Sequence, residues 1–174
     1  MSAAWDDGTA GHRFRVVPAV YLLLRREGQV LLQLRSGTGF MDGYWAAGAA
    51  GHVEEGESVL EAAVREAREE LGVTVAPADL EALTVMHRGL PGGPALEQRV
   101  DFFFAASRWQ GDPVLQERDK AADLRWFPFV HLPEPVVPHE LVVLRALHDG
   151  AVPRVTVRGF DGPGRAAGGV GSRP

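Results

Sequence analysis

Residues 51–73, GHVEEGESVLEAAVREAREELGV, constrain the fold more than any other part of the chain. Ser58 is a favourable N-cap residue, and Glu61 three positions later completes a capping box. Gly72 is the residue type expected just beyond a helix C-terminus, where the backbone turns left-handed. The segment therefore predicts a loop followed by a helix from about Val59 to Leu71. The apolar residues that recur at helical spacing predict its buried stripe: Leu60, Val64, Ala67 and Leu71.

Three glutamates crowd one turn of this helix. Glu66, Glu69 and Glu70 lie at i, i+3 and i+4, so their side chains converge on one patch. Like charges at this spacing repel each other by a few tenths of a kcal/mol. Arg65 and Arg68 are close enough to offset them, but we expect Arg65 to point away from Glu69. The spacing leaves two interpretations open: a solvated helix face, or a cluster of oxygen ligands of the kind that Mg²⁺ and Mn²⁺ prefer.

Composition and charge exclude several classes of function. The formal net charge of −5 and the absence of a Lys/Arg-rich run argue against binding to polymeric nucleic acid. The chain has no cysteine, which excludes disulfides, thiolate zinc sites and a cysteine nucleophile. The first residues are acidic, unlike a signal peptide, and the longest apolar run is far shorter than the ~20 residues that cross a bilayer. We therefore expect a cytoplasmic protein with no membrane partner.

The 174 residues predict one domain over residues 12–160, with a flexible N-terminus (1–11) and a disordered Gly/Pro-rich tail (161–174). Short apolar runs around EGQ predict a hairpin, and further strands are expected near residues 80–88, 98–109 and 123–129. A second helix should follow Pro138 and end at Gly150. Residues 154–160 fit either a strand or an extended tail. Strands and helices that alternate without a strict βαβ rhythm predict an α/β (α+β) fold with a mixed sheet between helices.

The helix segment also resembles the Nudix box, the signature of the Nudix (MutT-like) hydrolase family. Every fixed position of the box is present, and the soft departure is Ala67, where the family usually has a larger aliphatic residue. GYWAAGAAGHVEEGE and DLRWFPFVHLPE also resemble segments of the family, so the similarity covers most of residues 13–150. The residues that match the box are Gly51, Glu57, Arg65, Glu66, Glu69, Glu70, Gly72 and Val73.

The resemblance implies a loop–helix–loop motif on an α/β/α sandwich. It also implies that Mg²⁺ or Mn²⁺ supports hydrolysis of a nucleoside diphosphate linked to another group. By box position, Glu66, Glu69 and Glu70 are the metal-ligand candidates, with the carbonyl of Gly51 as a fourth. Glu66 or Glu70 would also serve as general base, and the sequence leaves this choice open. Glu57 and Arg65 would form an ion pair that braces the motif.

Family members often use one more acid from outside the box. Glu117 and Asp119 are the stronger candidates because they lie in a loop before the strand of Trp126, whereas Glu97 and Asp123 are merely available. A charged, solvated loop is the alternative for each, as it is for Glu54 and Glu55. We expect His52 to be a loop residue and not a ligand.

The substrate is predicted by elimination. The chain lacks the second arginine of the coenzyme A branch, the proline and tyrosine of the ADP-ribose and diadenosine polyphosphate branches, and the cysteine of the isopentenyl diphosphate isomerase branch. This leaves a nucleoside triphosphate, cleaved to the monophosphate and pyrophosphate. The alternatives are a nucleotide sugar or other nucleoside diphosphate conjugate and, in another class, a nucleotide-sensing regulator. Such regulators usually have a degraded box or a fused DNA-binding domain, and the sequence predicts neither.

Recognition of the nucleobase would come from aromatic stacking and from the start of the last helix. His139 and Glu140 are the polar candidates, although Glu140 also fits a helix N-terminus by its charge alone. Phe40, Trp45 and Trp126 are the aromatic candidates, with the core as the alternative. Phe102, Phe103 and Phe104 are predicted to be core, with at least one side chain on each face of the sheet. Homodimers are common in the family, and the sequence leaves the oligomeric state open.

Overall fold

The computed structural model describes residues 14–90 and 98–160. The predictions for the N-terminus (1–11), for Glu97 and for the tail (161–174) therefore fall outside the described residues. Within the described ranges, neither helix has the length and apolar character needed to cross a bilayer.

The described elements follow the predicted order. The first helix, α1, spans Val59–Leu71, and α2 spans Pro138–His148. Ser58 and Glu61 form the predicted capping box, and Gly72 ends α1 with φ of 68°. The eight strands are β1 (Val17–Arg26), β2 (Gln29–Arg35), β3 (Trp45–Ala47), β4 (Ala49–His52), β5 (Glu81–Arg88), β6 (Arg99–Ala106), β7 (Ala121–Pro128) and β8 (Val155–Arg158).

The strands form one mixed sheet in the order β3-β2-β1-β6-β5-β8, with β4 paired to β1 and β7 paired to β2. The β1–β6 and β5–β8 pairs are parallel, and the other pairs are antiparallel. Residues 154–160, which the sequence left undecided, thus contribute the short strand β8. The pairing of β4 with β1 holds Gly51 opposite Val20 and so brings the box loop next to the centre of the sheet.

Helices cover both faces of this sheet, which confirms the α/β/α sandwich. Alternate side chains of the central strands point to opposite faces because a strand has a two-residue period. Leu22 and Phe104 pack with α1, whereas Leu23 and Phe103 pack with α2. The three consecutive phenylalanines are therefore divided between the two faces, as predicted.

The buried stripe of α1 was predicted correctly at Ala67 and Leu71 but incorrectly at Leu60 and Val64. Leu60 is 41% exposed and Val64 is only half-buried. The buried face consists instead of small side chains with one leucine and one glutamate, which lets the helix approach the sheet closely. These buried residues are Ala62, Ala63, Glu66, Ala67 and Leu71.

Candidate active site

A groove of about 450 Å³ lies between β4 and α1 and collects five acidic side chains. The helix contributes three of them at the predicted i, i+3 and i+4 positions. One comes from the loop after β4 and one from the loop before β7. We call this the carboxylate groove, and its acidic residues are Glu54, Glu66, Glu69, Glu70 and Glu117.

Glu66 is held against the backbone of β4. Its side chain is 11% exposed, and a Cβ atom built on Gly51 would lie 1.9 Å from its Oε1 atom. No side chain fits at position 51 while the carboxylate is there, so the glycine leaves room for the glutamate. Burial raises the pKa of Glu66, and the hydrogen bond from Arg65 partly opposes this rise.

Glu70 is tied to the sheet from the same helix. Its Oε2 atom accepts hydrogen bonds from the backbone N–H of Ala50 at 2.9 Å and from Nε2 of Gln33 at 3.3 Å. Burial raises the pKa of Glu70 to about 7, and repulsion from Glu66 and Glu117 adds to the rise. A positive charge in the groove would oppose both effects and lower the pKa of Glu70, because it would stabilise the ionised carboxylate.

Arg65 connects the loop and the helix of the box. Its guanidinium donates to Glu57 from Nη2 at 2.7 Å and from Nε at 3.2 Å, which is the contact that the sequence predicted. It also donates from Nη1 to Glu66 at 2.7 Å and to Glu69 at 3.0 Å. The expectation that Arg65 points away from Glu69 was therefore wrong, because the i,i+4 spacing on α1 brings the two side chains together.

The groove has the donor chemistry of a site for a hard divalent cation. Its potential ligands are carboxylate and backbone oxygens, and the gap above Gly51 already admits the carboxylate of Glu66. Residues 14–90 and 98–160 contain no group of three or more acidic or histidine side chains already arranged around one point. Arg65 draws Glu66 and Glu69 to one side, whereas Glu70 is bonded to β4. The oxygen donors of the groove are of the type that Mg²⁺ and Mn²⁺ prefer.

The acids predicted outside the box separate clearly. Glu117 lines the carboxylate groove and pairs with Lys120 at 2.7 Å, whereas Asp119 does not line it. Asp123 lies on β7 and pairs with Arg125. Glu54 is exposed on a loop, as the sequence favoured, and it also lines the groove. Sequence reasoning missed Lys120 and Gln33, and neither has a local signal, because distant segments bring them to the groove.

A second cavity, of about 780 Å³, adjoins the carboxylate groove. The two share part of their walls, namely Arg35 and the segment from Ala50 to His52. His52 is the last residue of β4 and not a loop residue as predicted. We call this second space the arginine cavity, because four arginines line it: Arg35, Arg88, Arg99 and Arg158.

Three of the five predicted substrate residues line the arginine cavity: Phe40, His139 and Glu140. Trp45 and Trp126 line neither the cavity nor the groove. Trp45 is buried with its ring against the edge of Phe127, and Trp126 stacks on Trp109. For both tryptophans the alternative assignment to the core is the better one.

Polar residues of α2 form a buried network at the back of the arginine cavity. Nε2 of His139 lies 3.2 Å from the hydroxyl of Tyr21. Glu140 is 3% exposed and accepts a hydrogen bond from the backbone N–H of Ala47. Burial lowers the pKa of His139 to about 3 and raises the pKa of Glu140 to about 7. Glu140 thus makes a specific contact with the backbone of β3, in addition to any effect of its charge on the helix N-terminus.

Comparison with known proteins places this geometry in a family. Residues 13–147 match the NUDIX domain. The NAD-capped RNA hydrolase NudC of Pseudomonas aeruginosa is 36% identical over 78% of this chain and 44% of its own length. The isopentenyl-diphosphate Delta-isomerase of Cereibacter sphaeroides is 30% identical over 80% of this chain and 83% of its own. The chain thus spans less than half the length of the NudC relatives.

A solved structure agrees with both the fold and the family. The MutT NUDIX hydrolase from Burkholderia pseudomallei superposes with a TM-score of 0.68 and is 26% identical in sequence. The match covers 75% of this chain and 97% of the Burkholderia chain. The similarity therefore extends over almost the whole of a known Nudix structure.

Proposed function

The chain belongs to the Nudix domain family, and from this premise we propose that it hydrolyses a phosphoric anhydride in a nucleoside diphosphate-linked substrate, with a divalent cation as cofactor. The observation that carries the proposal is the buried carboxylate of Glu66, which occupies the space left open by Gly51. Arg65 offsets part of the charge of Glu66 and Glu69, but a helix gains no stability by burying an acid beside two others. The arrangement is useful when a cation neutralises the cluster.

The metal would be held by the carboxylates of Glu66, Glu69 and Glu70 with the carbonyl of Gly51, and Glu117 is the candidate for a further ligand. When bound, Mg²⁺ or Mn²⁺ neutralises phosphate charge and lowers the pKa of water. Arg65 holds the loop of Glu57 against the helix through its two hydrogen bonds to that carboxylate. Glu66 or Glu70 would accept the proton of the attacking water, since both carboxylates line the carboxylate groove.

Two kinds of substrate fit this reaction. A nucleoside triphosphate, cleaved to the monophosphate and pyrophosphate, is the substrate that the sequence favours by elimination. A nucleoside diphosphate conjugate is the second candidate, and the volume of the arginine cavity favours it. About 780 Å³ beside the groove is room for the second half of a conjugate. The NudC relatives, named as hydrolases of NAD-capped RNA, point toward the same kind of linkage.

The isomerase similarity does not supply a third candidate. The resemblance implies a cysteine for that branch, and the chain has none.

A panel of nucleoside triphosphates, dinucleotides and nucleotide sugars, assayed with Mg²⁺ and again with EDTA, tests the proposal. We expect hydrolysis of at least one class with Mg²⁺ and none with EDTA. Reaction in ¹⁸O-labelled water, read by mass spectrometry, identifies the phosphorus that is attacked. Pyrophosphate as the co-product indicates the triphosphate, and a sugar phosphate or second nucleotide indicates the conjugate. Binding of nucleotides without any turnover would instead indicate a nucleotide-sensing regulator.

A further inference from the structure

The arginine cavity contains more positive charge than the described residues around it balance. Of its four arginines, Arg88 is paired with a carboxylate, that of the buried Asp101. Arg35 donates to the carbonyl of Phe40 and to a threonine hydroxyl, both of which are uncharged. Arg99 contacts the ring of His52. Across residues 14–90 and 98–160, Arg35, Arg99 and Arg158 have no ion pair with an acidic side chain.

The other titratable groups at the cavity do little to offset this charge. Glu140 is the one acidic side chain among the described lining residues, and its carboxylate already accepts from the backbone of β3. His139 and Tyr21 are hydrogen-bonded to each other, and burial favours the neutral form of each. Among the described residues, the concave wall thus contains three guanidinium groups that form no ion pair with a carboxylate. Low-dielectric walls strengthen the field in such a space.

Arginine at such a place is suited to one ligand chemistry above others. The planar guanidinium matches phosphate oxygens with two parallel hydrogen bonds. A neutral nucleobase offers acceptor atoms to a guanidinium, but it has no negative charge to offset three of them. The cavity also shares Arg35 and Gly51 with the carboxylate groove, so one molecule can occupy both spaces.

We propose that the arginine cavity binds a phosphate group of the substrate that is not part of the scissile linkage, through Arg35, Arg99 and Arg158. The proposal rests on the proposed function, because it treats the carboxylate groove as the place of the scissile bond. It narrows the substrate to one that has at least three phosphates. The third phosphate has two possible sources: the end of a nucleoside triphosphate, or a phosphorylated sugar in a conjugate.

Binding measured by titration calorimetry in EDTA tests the cavity apart from metal and turnover. Two ligand pairs differ by one phosphate: adenosine 2′,5′-bisphosphate against adenosine 5′-monophosphate, and ATP against ADP. In the wild type, we expect the ligand with the extra phosphate to bind about tenfold tighter in one of the two pairs, as one charged hydrogen bond would give. The pair that shows the preference identifies the source of the phosphate.

Two variants assign the preference to the cavity. The preference for the ligand with the extra phosphate should fall in Arg158→Ala. It should disappear in the double variant that combines Arg99→Ala with Arg158→Ala. The affinity for the weaker ligand of the pair should stay the same in both variants. The matched control is Arg154→Ala, since Arg154 is an exposed arginine just before the same strand and does not line the cavity. A thermal melt of each variant checks that the fold is retained.

The outcomes separate the two proposals. Equal binding within both pairs by the wild type, or a preference that survives in the double variant, overturns the phosphate site. A preference that disappears in the double variant supports the site, even if no member of the substrate panel is hydrolysed. In that last case the proposed function fails and the binding site stands.

Discussion

A Cβ atom on Gly51 would lie 1.9 Å from Oε1 of Glu66, so the carboxylate of the helix occupies the space that a side chain on β4 would need. Gly51→Ala should therefore displace Glu66 without removing any carboxylate. We expect turnover to fall ~10²-fold, as it does when a ligand is misplaced. Steady-state kinetics with Mg²⁺ and a circular dichroism spectrum measure the two effects. Wild-type turnover in a folded Gly51→Ala protein would show that the position of Glu66 is unimportant.

Glu69→Gln removes one negative charge from the carboxylate groove and preserves the shape of the side chain. We expect the fold to persist and kcat to fall ~10²-fold or more, because charge stabilisation at a reacting phosphate is lost. The matched control is Glu55→Gln, since Glu55 is exposed on the loop before α1 and does not line the groove. If the two variants have similar rates, the groove is not the site of reaction.

Arg65→Lys keeps the charge of the residue but cannot reproduce its forked contacts. The arginine donates to three glutamates and to the carbonyl of His52, whereas a lysine ammonium is a compact point charge. We expect a ~10- to 100-fold loss in kcat, the usual effect of removing a group that orients ligands. The loss should be accompanied by a lower melting temperature. Full activity in the lysine variant would mean that charge alone is sufficient there.

The pH dependence of stability tests the environment of Glu140. Burial raises its pKa from 4.5 to about 7, so between these values the folded state binds a proton that the unfolded state releases. The contribution of this group is therefore full below about pH 4.5 and is lost as the pH rises through 7. Glu140→Gln can still accept from Ala47 and has no charge to bury. We expect the variant to gain stability over the wild type progressively from pH 5 to 8, in urea unfolding experiments. A constant difference across this range would contradict the buried, raised pKa.

The sequence predicts α1 correctly because the signals that begin and end it are local. Ser58, Glu61 and Gly72 lie within one helix, and each acts on backbone groups a few residues away. The strands near Phe102 and Trp126 were also placed correctly, since their apolar patterns are local. The buried face of α1 was predicted only in part, since Ala67 and Leu71 are buried but Leu60 and Val64 are not fully buried. The buried face depends on how closely the small alanines let the helix approach the sheet. This distance cannot be predicted from the spacing of apolar residues within the helix.

The arginine cavity was not predicted, because it too depends on tertiary packing and not on a local sequence pattern. Its arginines come from four strands, and the positions of Arg35 and Arg158 are more than a hundred residues apart. Parallel pairing of β8 with β5 brings Arg158 opposite Arg88, and a parallel partner far along the chain is not evident from local pattern. Trp126 was a candidate for the pocket by its residue type, with the core as the alternative, and its ring stacks on Trp109.

Electron paramagnetic resonance of bound Mn²⁺, recorded alongside the hydrolysis rate, shows whether the carboxylate groove holds a catalytic metal. In the wild type, we expect the hydrolysis rate to rise in proportion to the occupied Mn²⁺ sites. We expect both binding and hydrolysis to be lost when Glu66, Glu69 and Glu70 are changed together to glutamine. Wild-type Mn²⁺ affinity in this triple variant, or hydrolysis that proceeds unchanged in EDTA, would contradict a catalytic metal site in the carboxylate groove.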